Sequence, residues 1–186
     1  MSAKPNILKP IVAATVLTVA ISLPVRAFAD TVPEMLAQLK DADPEEAQRL
    51  ADEIALRWEH SGSPAIDLLL KRGKDAVVRG DFEEAAGHLT ALTDHAPDFA
   101  GGWHLRASLY FQMDRPGLAL HDLQKALHLN PNNFLALYGL GVIMEQLDRP
   151  QMAVEAYTLA LKIYPHYEDA RIAIERMGSD VIGTEL

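Results

Sequence analysis

A period of 34 residues constrains this chain more than any other feature. The segment QMDRP at residues 112–116 returns as QLDRP at residues 146–150, and Ala119, Ala126, Leu127 and Pro131 recur at the same offset as Ala153, Ala160, Leu161 and Pro165. A further step back reaches Ala85 and Pro97, with RGDF at residues 79–82 beside the slot of MDRP and LDRP. Three units follow, 66–99, 100–133 and 134–167. A repeat of 20–50 residues means stacked supersecondary units rather than a single closed core.

Each unit reads as helix, turn, helix. In 100–133, Trp103, Ala107, Tyr110 and Phe111 share one face of a first helix, and Ala119, Leu123, Ala126 and Leu127 one stripe of a second. Between them Asp114-Arg115-Pro116 ends one helix and opens the next, because proline disfavours helical geometry before it and suits a first turn. Asn130-Pro131-Asn132 closes the unit. Small residues hold one slot of the first helices, Gly73, Ala107 and Gly141, and another of the second, Ala85, Ala119 and Ala153. Leu89, Leu123 and Tyr157 are the large residues expected to face them. Glycine inside a helix costs about 1 kcal/mol relative to alanine, so Gly73 and Gly141 imply close backbone approach.

These slots resemble the tetratricopeptide repeat: a bulky residue, a small one four later, alanine in the second helix, then proline. Units 100–133 and 134–167 fit best; unit 66–99 has Leu92 where the others have Ala126 and Ala160. The resemblance implies an all-α, right-handed superhelical solenoid with N- and C-terminal capping helices. It also implies a concave face, built by the first helices, that holds a peptide or helix of a partner protein. On this chain that groove would consist of Leu70, Lys74, Val77, His104, Ser108, Phe111, Tyr138, Val142 and Glu145. Chaperone-binding members clamp a terminal carboxylate with basic residues; Lys74 fits that role, but Leu135 and Gly139 stand where the last such repeat carries basic side chains. A terminal helix of the chain itself covering Phe111 and Tyr138 is the alternative occupant.

The ends differ from the middle. Residues 30–65 read as an N-terminal cap or degenerate repeat: a short helix from Pro33 to Lys40, then an amphipathic one opened by Asp43-Pro44-Glu45-Glu46, with the acid of a capping box at Glu46, and ended by Gly62 and Pro64. Residues 168–186 read as a capping helix to Met177 and a loose tail from Gly178. Residues 1–29 place Lys4 and Lys9 before an apolar run at 11–23 and Ala27-Phe28-Ala29 before Asp30, the pattern of a secretory signal peptide cleaved after Ala29. The run is shorter than the ~18 apolar residues of a spanning helix, so no stable membrane anchor is expected after cleavage. Loss of Lys4, Lys9 and Arg26 with this segment takes the net charge from −9 to −12. Such a field repels nucleic acid, and with no cysteine the exported chain relies on packing.

Catalytic and cofactor motifs are not evident, so no enzyme activity or cofactor is expected. Gly101-Gly102 lacks a following lysine and reads as a turn. The pairs His88/His95 and His121/His128 are two helical turns apart, roughly 10 Å, too far to share a zinc ion. Ser108 lies one turn from His104, with no acid placed to orient the imidazole. Trp103, Tyr110 and Tyr157 are expected in the packed stripes. The sequence therefore points to an exported, periplasmic, non-enzymatic adaptor or assembly factor similar to small exported tetratricopeptide proteins of Gram-negative bacteria, with a protein partner in the cell envelope. Regulation of an envelope enzyme such as a cell-wall hydrolase is the alternative, and pairing of an open solenoid end with a second copy stays open.

Overall fold

The structure, a computed structural model, describes residues 31–184, with side-chain surroundings through residue 178. The signal segment and its cleavage site lie outside the described residues. Among the described residues nine helices follow in order: α1 (Val32–Asp41), α2 (Pro44–Trp58), α3 (Pro64–Arg79), α4 (Phe82–His95), α5 (Ala100–Gln112), α6 (Pro116–Leu129), α7 (Phe134–Gln146), α8 (Pro150–Ile163) and α9 (Glu168–Thr184). The pairs α3/α4, α5/α6 and α7/α8 stack in sequence, and α9 closes the stack on α8. The chain is the all-α solenoid its period implies.

The turns inside the three pairs share one device. Gly80, Asp114 and Asp148, spaced by 34, all have left-handed φ of 79°, 54° and 54°. At each, the next amide reaches back to the helix, with Asp81 N donating to Ala76 O (2.9 Å), Arg115 N to Tyr110 O (2.8 Å) and Arg149 N to Met144 O (2.9 Å). This is the Schellman closure, and glycine and aspartate are among the few residues that enter the left-handed region readily. Pro116 and Pro150 then start α6 and α8, where their missing N–H is not needed.

Small residues set how closely each pair packs. A Cβ at Gly73 would lie 2.6 Å from Leu89 Cδ2, and one at Gly141 2.3 Å from Tyr157 Cε1. The facing partners expected from the sequence are therefore the ones in contact, and Ala85, Ala119 and Ala153 are fully buried beside them. Gly101 and Gly102 do not form a turn. They begin α5, where a Cβ at Gly101 would meet the Trp58 carbonyl at 2.4 Å and one at Gly102 the Leu92 side chain at 2.0 Å. Both are points of close helix approach.

The aromatic stripe is only partly core. Tyr157 is fully buried, but Trp103 and Tyr110 are half-buried. They flank Arg106, whose guanidinium lies 4.9 Å from the Trp103 ring centre and 5.7 Å from that of Tyr110. Arg106 forks onto Asp122 at 2.7 and 3.0 Å and donates to Thr93 Oγ1 at 2.7 Å, tying α5 to α6 and α4. This ion pair has side chains only 12% and 2% exposed.

Both ends depart from expectation in detail. Asp43 caps α2 by accepting from Glu45 N and Glu46 N, but the Glu46 carboxylate turns to Arg49. The acid that reaches back to a preceding backbone N–H is Glu34, on Thr31 at 2.8 Å. At the other end α9 continues through Gly178 to Thr184, because a glycine inside a helix lowers its stability without ending it.

Candidate functional site

The site follows from where α1 and α2 go. They do not simply extend the stack at its N-terminal end. Met35, Leu39, Ala47, Leu50, Ala51 and Ile54 share one core cluster with Phe134, Leu137, Ala160 and Tyr164 of the third pair. Trp58 packs against Phe134 with ring centres 5.2 Å apart, and the Tyr164 hydroxyl donates to Gln48 Oε1 at 3.0 Å. At its C-terminal end α2 meets the first helices: Ala55, Trp58 and Glu59 face Leu70, Gly101, His104, Leu105 and Leu135. Helix α2 thus lies across the face formed by α3, α5 and α7, over the N-terminal halves of those helices.

That placement divides the nine residues expected to line a groove. Leu70 is buried beneath α2. Lys74 donates to both carboxylate oxygens of Glu59 at 2.7 Å, so the one lysine of the set is engaged by the chain itself. Val77 packs against the core between α3, α4 and α5. Glu145 accepts from the Tyr157 hydroxyl and from Arg176, both at 2.5 Å, and serves as a tie between α7, α8 and α9. His104, Ser108, Phe111, Tyr138 and Val142 are brought together in the half that α2 leaves open.

This open half is a recess of about 340 Å³ between α5 and α7, lined also by Ala107, Gln112, Leu123, Gly139 and Ile143. Ala107, Leu123 and Ile143 are core residues that form its floor. Gln112 follows Ser108 by one helical turn, which is the spacing that would have found it. Gly139 widens the recess, since a Cβ there would touch only Leu123, at 3.6 Å. Helix α2 covers one half of the face, whereas Phe111 and Tyr138, the residues a terminal helix was the alternative candidate to cover, line the recess on the other.

The electrostatics are those of a half-buried wall with acidic surroundings. Burial holds the His104 imidazole at a pKa of about 4, with nearby Glu59 acting weakly the other way. His104 is neutral at pH 7. Burial raises the Tyr138 phenol, aided by Asp169 and Glu145. Tyr157 is raised by burial and by its bond to Glu145. Ser108 Oγ donates to the His104 carbonyl at 3.1 Å rather than to its ring, so the two do not form a nucleophile and base pair. Among the described residues no three His, Asp or Glu side chains are grouped to hold a metal ion, and no helix is long and apolar enough to cross a membrane. The recess is built for apolar contact.

A solenoid of helical hairpins with such a recess defines the class, and comparison with known proteins gives the family. A sequence profile of the tetratricopeptide repeat matches residues 70–112 and 104–168. A TPR repeat-containing protein of Rhizobium etli is 30% identical over 151 residues, covering 81% of this chain and 74% of that protein. Among solved structures, the first TPR of Spaghetti (RPAP3) bound to an HSP90 peptide superposes with a TM-score of 0.61 at 22% identity, over 63% of this chain and 93% of that one. MamA superposes with a TM-score of 0.60 at 23% identity, over 77% and 82%. The chain belongs to the tetratricopeptide repeat family.

Proposed function

We propose that this protein is a non-enzymatic adaptor that docks a segment of a partner protein in the recess between α5 and α7. The observation that carries the reading is the open apolar wall of His104, Ser108, Phe111, Tyr138 and Val142 beside α2. Buried aromatic anchors of this kind usually dominate the energy of a protein interface. The Spaghetti domain, of the same fold, is bound to an HSP90 peptide. In this chain a terminal carboxylate is the less suitable ligand, because Lys74 already holds Glu59 and the recess lining contains no lysine or arginine. The signal-like features of residues 1–29 support the periplasm as the site of action and a cell-envelope protein as the partner.

Affinity capture from native envelope extract, comparing the protein with a Gly139→Leu variant, tests this. The substitution fills the recess from a position where a Cβ is tolerated. The expected result is one partner that binds the purified protein directly and is lost with Gly139→Leu at unchanged helicity. Equal binding by both proteins would move the interface off this face. Export is checked by the N-terminal sequence of the native protein, which begins at Asp30 if residues 1–29 are removed.

A further inference from the structure

The recess between α5 and α7 lies beside a second one of different chemistry. Tyr138, in the wall of the first, packs against Tyr167 with ring centres 5.2 Å apart. Tyr167 belongs to an adjoining recess of about 220 Å³ between α2, α7, α8 and the start of α9. Its floor is aromatic: Phe134, Tyr164 and Tyr167, the two tyrosines stacked at 5.4 Å and 16°. Its polar rim is Gln48, Asp52, Glu168 and Asp169, with no basic side chain among the lining residues.

The acids of that rim are not equally engaged. Glu168 pairs with Arg171 on its own helix. Among the described residues Asp52 accepts from the uncharged Gln48 amide, at 2.9 Å, and neither Asp52 nor Asp169 has an ion pair within 4 Å. The field of the rim reaches the apolar recess, since Asp169, like Glu145 on α7, disfavours ionisation of Tyr138. The chain as a whole carries a net charge of −9.

We propose that the groove takes a segment of a partner protein in which a bulky apolar residue adjoins a lysine or arginine. The apolar side chain enters between Phe111 and Tyr138, and the cation lies over Tyr167 between Asp52 and Asp169. Charge complementarity chooses this occupant, since two exposed carboxylates without an ion pair among the described residues, beside the half-buried Tyr167, attract a cation. An acidic segment meets the same carboxylates with like charge, and a second copy of this chain brings the same net negative charge. The inference rests on the docking role proposed for the recess and specifies its ligand.

Fluorescence anisotropy of the full chain with three labelled peptides of equal length tests it: one pairing leucine with arginine, one with each arginine replaced by glutamate, and one with each leucine replaced by serine. The leucine–arginine peptide should bind roughly tenfold or more tightly than the glutamate peptide and weaken with added salt. An Asp52→Asn, Asp169→Asn double variant should remove that advantage, and the serine peptide should bind weakly. Equal affinity for the arginine and glutamate peptides, both lost with Gly139→Leu, overturns the charge assignment and leaves the docking recess standing. A leucine–arginine peptide that binds Gly139→Leu as well as the unaltered protein overturns both. Self-association abolished by Gly139→Leu would assign the face to a second copy and refute the peptide ligand.

Discussion

Gly141→Ala offers the sharpest test of how the repeats pack. A methyl at this position would stand 2.3, 2.6 and 2.7 Å from Cε1, Cδ1 and Cζ of Tyr157, whereas carbon atoms rest at about 3.5–4.0 Å. The ring must move by roughly an ångström, yet it is fully buried and its hydroxyl is held by Glu145. Overpacking of this kind costs about 1–3 kcal/mol, against a gain of about 1 kcal/mol from exchanging a helical glycine for alanine. A buried ring tethered at its hydroxyl places the cost in the upper half of that range, so a net loss of about 1–2 kcal/mol is expected, or a Tm drop of roughly 2–8 °C for a chain of this size. At Gly73 the same substitution meets Leu89 Cδ2 and Cγ at 2.6 and 2.8 Å. Leucine can change rotamer, and the second repeat already sets Ala107 in the corresponding slot with Leu123, so Gly73→Ala should stay within about 0.5 kcal/mol of neutral. Urea unfolding of Gly141→Ala, Tyr157→Leu and the double variant measures the coupling directly. The cycle should show at least about 1 kcal/mol in favour of the double variant. A neutral Gly141→Ala, or additive losses, would refute the idea that the facing side chain decides the size of the slot.

Other expectations follow from particular contacts. Asp122→Ala leaves the Arg106 guanidinium without its buried partner and should lower unfolding stability by about 3–5 kcal/mol, measured by urea midpoint; a loss below 1 kcal/mol would show the pair to be dispensable. Gly80→Ala places a side chain in the left-handed region at φ 79° and should cost about 1 kcal/mol, while Asp148→Gly at the matching turn should be nearly neutral by the same assay. His104 has a folded-state pKa of about 4 against an ordinary 6.5, so the unfolded chain takes up its proton first. Stability should therefore fall as pH drops from about 6.5 toward about 4 and level off below, and a His104→Gln variant should lack that part of the slope.

The repeat was legible because its signals are local and recur. Gly80, Asp114 and Asp148 mark one turn three times over, and the 34-residue offset of Pro97, Pro131 and Pro165 marks the other. The division of the groove was not legible. It depends on Trp58 meeting Phe134, on Gln48 meeting Tyr164 and on the Trp58 carbonyl resting against Gly101, pairings between distant residues that no periodicity encodes. Glycines 101 and 102, read as a turn at a helix start, were not legible as points of close approach for the same reason, since the atoms that need their missing Cβ include the Trp58 carbonyl of α2 and the Leu92 side chain of α4. Lys74 was read as available for a ligand because Glu59 lies in an irregular stretch whose position only the tertiary structure fixes. Phe111, Ser108, Tyr138 and Val142 follow from the resemblance to the repeat family, which tells which face the first helices present but not what else covers it.

What holds α2 on the groove decides how permanent the division is, and two adjacent residues separate the contributions. Glu59 and Lys74 are both more than 40% exposed, and exposed ion pairs contribute about 0–1 kcal/mol. Trp58 is half-buried against Phe134 and backs directly onto α5 at Gly101, and loss of a packed tryptophan costs about 3 kcal/mol or more. Glu59→Gln should therefore leave α2 docked and the urea midpoint almost unchanged, whereas Trp58→Ala should loosen α1 and α2 ahead of the repeats. Amide hydrogen exchange distinguishes the two, with faster exchange in residues 44–58 and unchanged protection in α5 and α6 for Trp58→Ala alone. If Glu59→Gln produced the same local opening, electrostatics rather than apolar packing would control access to the covered half of the face, and the groove would widen in response to salt.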